Sequence, residues 1–323
     1  HNGWKHTSLQ VQKSNLLDLV GYCTSNNIKT ILFCGDMFHT HGTIKTEVLF
    51  AYNEFIRFSK NWGINIIGIA GNHDHADKFG EITGLNLMGV LLDQTAYPEV
   101  EGVTICGLTY SNEERLTNFL KFKFPEDSIL LLHQGVSGVE VNSKGFTLNE
   151  ALRPDMIPDN ILHCFTGHYH THKPVSSNLT IPGALGQYIW SDANEERGFL
   201  DVFIDNDKSV HIRRVNSLNW KQFEVIDYSQ INTINCLDAA INLKIKNVPN
   251  KKIAQELVDK YLPMANFPDD PMRNVECEII APETTSAETI KSESFSTADF
   301  FEEYSIARNL SKEYIDFGRK LIS

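Results

Sequence analysis

The sequence has no run of about 18 apolar residues, so nothing in it reads as a membrane-spanning helix. It has no Cys-x-x-Cys pair. Its six cysteines, at 23, 34, 106, 164, 236 and 277, are scattered, several of them inside apolar stretches. They read as reduced core residues of a cytoplasmic protein. No block of basic residues is present either. Lys and Arg number 29 against 41 Asp and Glu, for a net charge of −12, and the cations are spread as solvated faces. This argues against a free-standing nucleic-acid binder held by counterion release. A substrate phosphate held by metal ions stays open, because bound dications dominate the local field. No secretory leader is read at the front.

What the sequence does contain is a repeated form, an apolar strand running into a polar turn. Ile64–Ala70 leads into Gly71-Asn72-His73-Asp74, and Lys29–Cys34 into Gly35-Asp36-Met37-Phe38-His39. Ser128–Leu132 leads into His133-Gln134-Gly135, and Ile161–Thr166 into Gly167-His168-Tyr169-His170. His1-Asn2-Gly3 is a fifth such turn with no strand before it. His1 to Asp36 is 35 residues, Asp36 to Asn72 is 36, and His133 to His168 is 35. Each step fits one strand plus one crossover helix, which takes roughly 30 residues or more. The five turns are expected to line one edge of a sheet, at the carboxyl ends where α/β sheets bind ligands.

At 323 residues the chain exceeds what one core usually fills. The expected organisation is a main domain over 1–227, a small α/β domain over 228–285, and a linker with a terminal helix over 286–323. Helices are predicted over Leu9–Ser25, Val48–Trp62 and Glu113–Phe122, and a loop-rich segment over 136–160. Past His170 the pattern becomes all-β, with strands at Leu179–Ile181, Phe199–Ile204 and Val210–Val215 that should form a second sheet on the first. Asn250 is placed to cap a helix bearing Ile253, Leu257 and Tyr261. A Ser/Thr/Glu-rich linker follows, then an aromatic stripe from Phe300 to Leu321 that either folds back or docks on another protein.

Imidazoles, an amide oxygen and a carboxylate able to bridge are a ligand mix suited to Mn²⁺, Fe²⁺ or Zn²⁺ in a two-metal site. Asp36 is the best candidate bridge. An acid must also protonate the leaving oxygen in such chemistry.

GDMFH at 35–39, GNHD at 71–74, His133 and GHYH at 167–170, in that order, resemble the motifs of the calcineurin-like metallophosphoesterases. The first turn fits that family's D-x-H motif only at His1, since the aspartate expected two residues earlier is not in the sequence. Within the superfamily, the GD-x-F-H and LHQG forms and the appended α/β domain are most similar to the nuclease subunit of SbcCD-type double-strand-break repair complexes, phage recombination nucleases included. The resemblance implies an α/β fold, a two-sheet α-β-β-α sandwich with a small α/β cap domain and a C-terminal helix. It implies two Mn²⁺ ions, one held by His1, Asp36 and His170 and the other by Asp36, Asn72, His133 and His168. His73 would act near the leaving group. His39, oriented by Asp74, would help place a DNA end. The implied partners are DNA and an SMC-like ABC-type ATPase docked on the last helix, in the cytoplasm, or the host cytoplasm if phage-encoded; a homodimer stays open.

Two other readings stand beside the nuclease. One is a small-molecule phosphatase or cyclic-nucleotide phosphodiesterase on the same fold. The other is a catalytically silent scaffold, which the absent aspartate favours.

Overall fold

The computed structural model describes residues 9–38, 46–74, 85, 92, 97–140, 149–218, 223–233, 242–265 and 275–279. The fold is α/β. Helix α1 (Leu9–Ser25) leads into β1 (Thr30–Phe33), and α2 (Thr46–Asn61) into β2 (Asn65–Gly68), which pairs with β1 in parallel. The three- and four-residue spacing of apolar positions in α2 puts Val48, Tyr52, Phe55, Ile56 and Ser59 on one buried face. That face packs on Val20 and Cys23 of α1 and on Ile64 and Ile66.

The larger sheet has six strands: β3 (Glu99–Val100), β4 (Val103–Leu108), β5 (Ser128–Leu132), β6 (Ile161–Thr166), β7 (Lys173–Ser176) and β8 (Leu179–Ile181), in the order β3-β4-β5-β6-β8-β7. β4, β5, β6 and β8 run parallel. Every residue of β5 is buried, as an apolar strand covered on both faces must be. Leu130 and Leu132 face α3 (Glu113–Leu120) through Leu116 and Leu120, whereas Ile129 and Leu131 face Leu32, Leu200 and Ile204. Helix α3 begins at Asn112, whose side chain accepts from Arg115 N at 2.9 Å.

β9 (Gly198–Ile204) and β10 (Val210–Asn216) form an antiparallel pair on the side of β1 and β2. The layering is therefore helices, strand pairs, six-stranded sheet, helix.

Two expectations are corrected. Leu179–Ile181 joins the first sheet instead of the second, because β8 pairs in parallel with β6 and its three residues are wholly buried there. The polar turns also do not share one sheet edge. The first two described ones follow β1 and β2, and the next two follow β5 and β6 in the six-stranded sheet. Sequence spacing records a crossover's length but not which sheet receives it.

Beyond the hairpin, β11 (Phe223–Asp227), β12 (Asn242–Val248) and β13 (Val275–Ile279) form a parallel sheet with α4 (Lys251–Ala265) between the last two strands in the chain. Asn250 caps α4, its side-chain oxygen accepting from Ile253 N at 3.0 Å. β11 precedes Tyr228 and is not anticipated by the sequence pattern. The predicted terminal helix lies outside the described residues. Among the described residues no helix is long and apolar enough to cross a membrane.

Candidate functional site

Each pair of neighbouring strand ends is tied by a side chain. After β1 and β2, the buried Asp74 carboxylate accepts from Asp36 N (2.7 Å), Phe38 N (2.8 Å) and Gly71 N (2.8 Å). Burial pushes that carboxyl up to about 6, against the pull of the Phe38 and Gly71 N–H groups. After β5 and β6, Thr166 Oγ1 accepts from Gln134 N (3.0 Å) and donates to Gln134 O (2.9 Å).

His133 joins the two pairs. Its Nδ1 lies 2.6 Å from Cys34 O, and a carbonyl can only accept, so Nδ1 carries the proton. The other nitrogen, Nε2, therefore turns to Asp36 Oδ2 and Asn72 Oδ1, each at 3.2 Å. His168 Nδ1 meets the same Asn72 oxygen at 3.2 Å, and the two rings stand 5.4 Å apart and nearly perpendicular.

The turns allow this closeness because of their backbone. A Cβ on Gly71 would collide with Asp36 Oδ1 and would come 2.7 Å from His133 Cε1. Asp36 (φ 60°) and His168 (φ 84°) both adopt the left-handed region. For a residue with a Cβ this costs about 1–3 kcal/mol, and such strain persists where surrounding contacts fix the side chain's aim.

Electrostatics suit cation binding. Burial alone would raise the Asp36 carboxyl, but the hydrogen bond and charge of His133 and the His73 N–H, which donates to Asp36 Oδ1 at 2.9 Å, outweigh it and hold the group at about 2. Burial, with the charge of His133 beside it, holds His168 at about 4, so its ring is neutral at pH 7 and can offer a lone pair. Burial opposes charge on His133, yet Asp36 raises its pKa. A proton on Nε2 and a divalent cation are alternative ways of meeting the Asp36 carboxylate from that side.

His170 lines the same cavity as Asp36, His73, His133 and His168. Its Nδ1 lies 2.9 Å from Asp192 Oδ1 and 3.1 Å from Oδ2, so Nδ1–H donates and Nε2 is the nitrogen left to meet a cation. Asp192, 3 % exposed, also accepts from Tyr188 N (2.9 Å), Ile189 N (3.2 Å) and Arg197 Nη2 (3.2 Å). Burial disfavours its charge, but His170, the Tyr188 N–H and Arg197 prevail and keep the carboxyl below the usual range. Arg197, 2 % exposed, bonds Glu195 at 3.0 Å. A histidine held by a carboxylate through its far nitrogen is the usual support of a metal-ligating imidazole.

Asp36, Asn72, His133 and His168 are thus brought together, with His73 and His170 bordering the same cavity; His1 and His39 lie outside the described residues. Among the described residues no group of three or more His, Cys, Asp or Glu is disposed to hold an ion by itself. The amide oxygen of Asn72 completes the donor set, and a carboxylate, an amide oxygen and two imidazoles fit a divalent transition metal.

The sequence pattern does not single out Asp192 or Arg197, nor Tyr110, which is 40 % exposed and stacks on His168 at 6.2 Å. Asp192-Ala-Asn-Glu-Glu-Arg197 reads as an ordinary solvated charge cluster, with no strand before it.

No curated protein matches the chain. Its residues 9–172, just over half of its length, match the model of the calcineurin-like phosphoesterase family, and all the donors placed above lie within that span. The chain therefore belongs to the calcineurin-like phosphoesterases, metal-dependent hydrolases of phosphoesters.

Proposed function

We propose that this hydrolase is a two-metal DNA nuclease, the nuclease subunit of an SbcCD-type repair or recombination complex whose other subunit is an ABC-type ATPase. The observation that carries the two-metal reading is the convergence of Asp36, Asn72, His133 and His168 from two separate sheets onto shared 3.2 Å contacts. Those four residues would hold one ion, and Asp36, His170 and His1 the other. When bound, two divalent cations, manganese by resemblance, supply Lewis acidity toward phosphate oxygen and toward water.

The remaining roles fall to the chain itself. Asp36 stays ionised at neutral pH and borders the cavity that His133, His168 and His170 also line. Cys34 O and Asp192 hold His133 and His170 in the tautomers that offer Nε2. His73, anchored by its N–H on Asp36, presents its ring to the same cavity, where it can give a proton to the leaving oxygen. The preference for DNA rests on the GD-x-F-H and LHQG forms and on the appended α/β sheet. The test compares linear duplex DNA with a chromogenic phosphodiester in Mn²⁺. Cleavage of DNA is expected; hydrolysis of the small ester alone would refute the nuclease and favour a small-molecule phosphodiesterase.

A further inference from the structure

His133 and His170 receive their tautomers from unlike sources. For His133 the acceptor is Cys34 O, main chain directly after β1. For His170 it is Asp192, in the connection of residues 182–197 between β8 and β9. That connection is tied to the phosphoesterase body through Arg197, which bonds Asp192 and Glu195, and through Thr171, which donates to Glu195 at 2.6 Å. It is also fastened to the appended sheet.

β11 is the outer strand of that sheet, paired only with β12 among the described strands. An outer strand turns main-chain N–H and C=O groups away from its neighbour. On β11 those of Phe223 and Val225, two residues apart, are met by side chains of the connection. Phe223 N donates to Gln187 Oε1 at 2.8 Å and Val225 N to Asn194 Oδ1 at 3.2 Å, while Asn194 Nδ2 donates back to Val225 O at 2.8 Å. A carboxamide that both donates to and accepts from one residue stands in for a peptide group of a neighbouring strand. Gln187, wholly buried, also donates to Glu195 O at 2.9 Å and so closes the connection on itself. Trp190 packs edge-on against Phe223, ring centroids 5.0 Å apart, and Lys244 of β12 stands over the indole at 4.8 Å, with Glu276 of β13 at 3.0 Å from its Nζ.

Asp192 sits inside this fastening. It shares the short turn Trp190–Asp192 with the indole and lies two residues before Asn194, and its Oδ2 accepts from Tyr188 N and Ile189 N, the two residues after Gln187. Holding 187, 190 and 194 against β11 and β12 therefore fixes the segment whose carboxylate aims His170. We infer that Gln187 and Asn194 are positioning residues for His170, and that the appended sheet is the support of that histidine and not of His133 or His168. Asn194 suits the task twice over. Its backbone takes the left-handed region at φ 64°, which asparagine tolerates better than most residues, and its carboxamide reaches the strand edge. The bearing of this on metal binding rests on His170 being a ligand, as proposed above; the positioning itself does not.

The test uses the metal-free 323-residue chain with two substitutions. Asn194→Gly keeps the left-handed backbone and removes both bonds to Val225. Val225→Pro removes the N–H from the strand's side, on an outer edge where proline is tolerated. Two lost bonds lower the ratio of fastened to unfastened connection on the order of tenfold. Amides of Tyr188 and Ile189 should then exchange about tenfold faster. The imidazole ¹⁵N shifts of His170 should move toward the average of its two tautomers, while those of His133 and His168 stay as in the parent. A parent-like His170 in either variant overturns the inference. So do equal changes in all three histidines, which would mean that the sheet only steadies the fold at large. Calorimetric titration with Mn²⁺ reads the ligand role separately, with affinity expected to fall about tenfold. Changed His170 shifts with unchanged affinity sustain the positioning and count against His170 as a ligand, so the two readings fail on different measurements.

Discussion

Replacing Asp192 by asparagine separates a positioning role from a merely structural one. The two carboxylate oxygens divide their partners: Oδ1 accepts from Arg197 and, at 2.9 Å, from His170, while Oδ2 accepts from the N–H groups of Tyr188 and Ile189 and lies 3.1 Å from the same His170 nitrogen. Asparagine has one oxygen. If it stays with the main chain, the amide NH₂ is turned on the guanidinium of Arg197 and on His170 Nδ1–H, donor against donor. His170 is left with the longer, 3.1 Å contact to the remaining oxygen, or it accepts from the amide at Nδ1, which moves its proton to Nε2, the nitrogen a cation needs. The lost bond to a buried charged partner should cost about 1–3 kcal/mol of stability in urea. The changed tautomer should weaken Mn²⁺ binding about 10–100-fold by calorimetric titration, and the imidazole ¹⁵N shifts of His170 should report the exchange of protonated nitrogens. If stability falls while Mn²⁺ affinity and the ¹⁵N shifts stay as they were, Asp192 only braces the fold and the positioning argument fails.

His73→Ala should lower hydrolysis by about 100-fold or more with Mn²⁺ affinity unchanged; equal turnover would remove His73 as the acid. Gly71→Ala drives a methyl group onto Asp36 Oδ1 and His133 and should cost about 1–3 kcal/mol together with metal affinity, read by thermal unfolding with and without Mn²⁺; an unchanged melting temperature would contradict the close approach of these turns. His163, buried against Phe165 and bonded to Thr180 Oγ1 at 2.9 Å, is held by burial at about 4, below the ordinary imidazole value of about 6.5. Between pH 6.5 and 4 the unfolded chain binds a proton that the folded chain refuses, so stability should fall as pH drops through that window, by up to about 3 kcal/mol. His163→Gln keeps a partner for Thr180 and should flatten the curve; parallel curves for the two proteins would show that His163 is not the group responsible.

The turns were readable because each follows an apolar strand and carries donors that packing does not require. The turns that carry Asp36, Asn72, His133 and His168 could therefore be picked out from residue types and order, whereas which of their side chains serve as ligands is implied by the family resemblance. Their distribution over two sheets could not, since an apolar strand looks the same in either. Asp192 and Arg197 are buried and paired only because the chain between β8 and β9 folds back over His170, and a sequence shows no burial of that kind. Asp74 is read from the sequence as an orienter of His39, which lies outside the described residues; the described partners of its carboxylate are main-chain N–H groups of the first two turns. β11 escaped notice because its neighbour β12 lies well beyond it in the chain, and the pairing is what makes Phe223–Asp227 a strand.

The reach of His133 from the six-stranded sheet to Cys34 on the other sheet has a mechanical consequence. Neither layer holds the donors alone, so sliding one across the other by even an ångström would part Nε2 from Asp36. A cation seated there would act as a rivet through the seam, and any effector or truncation that shears the layers would silence the enzyme without touching a single ligand.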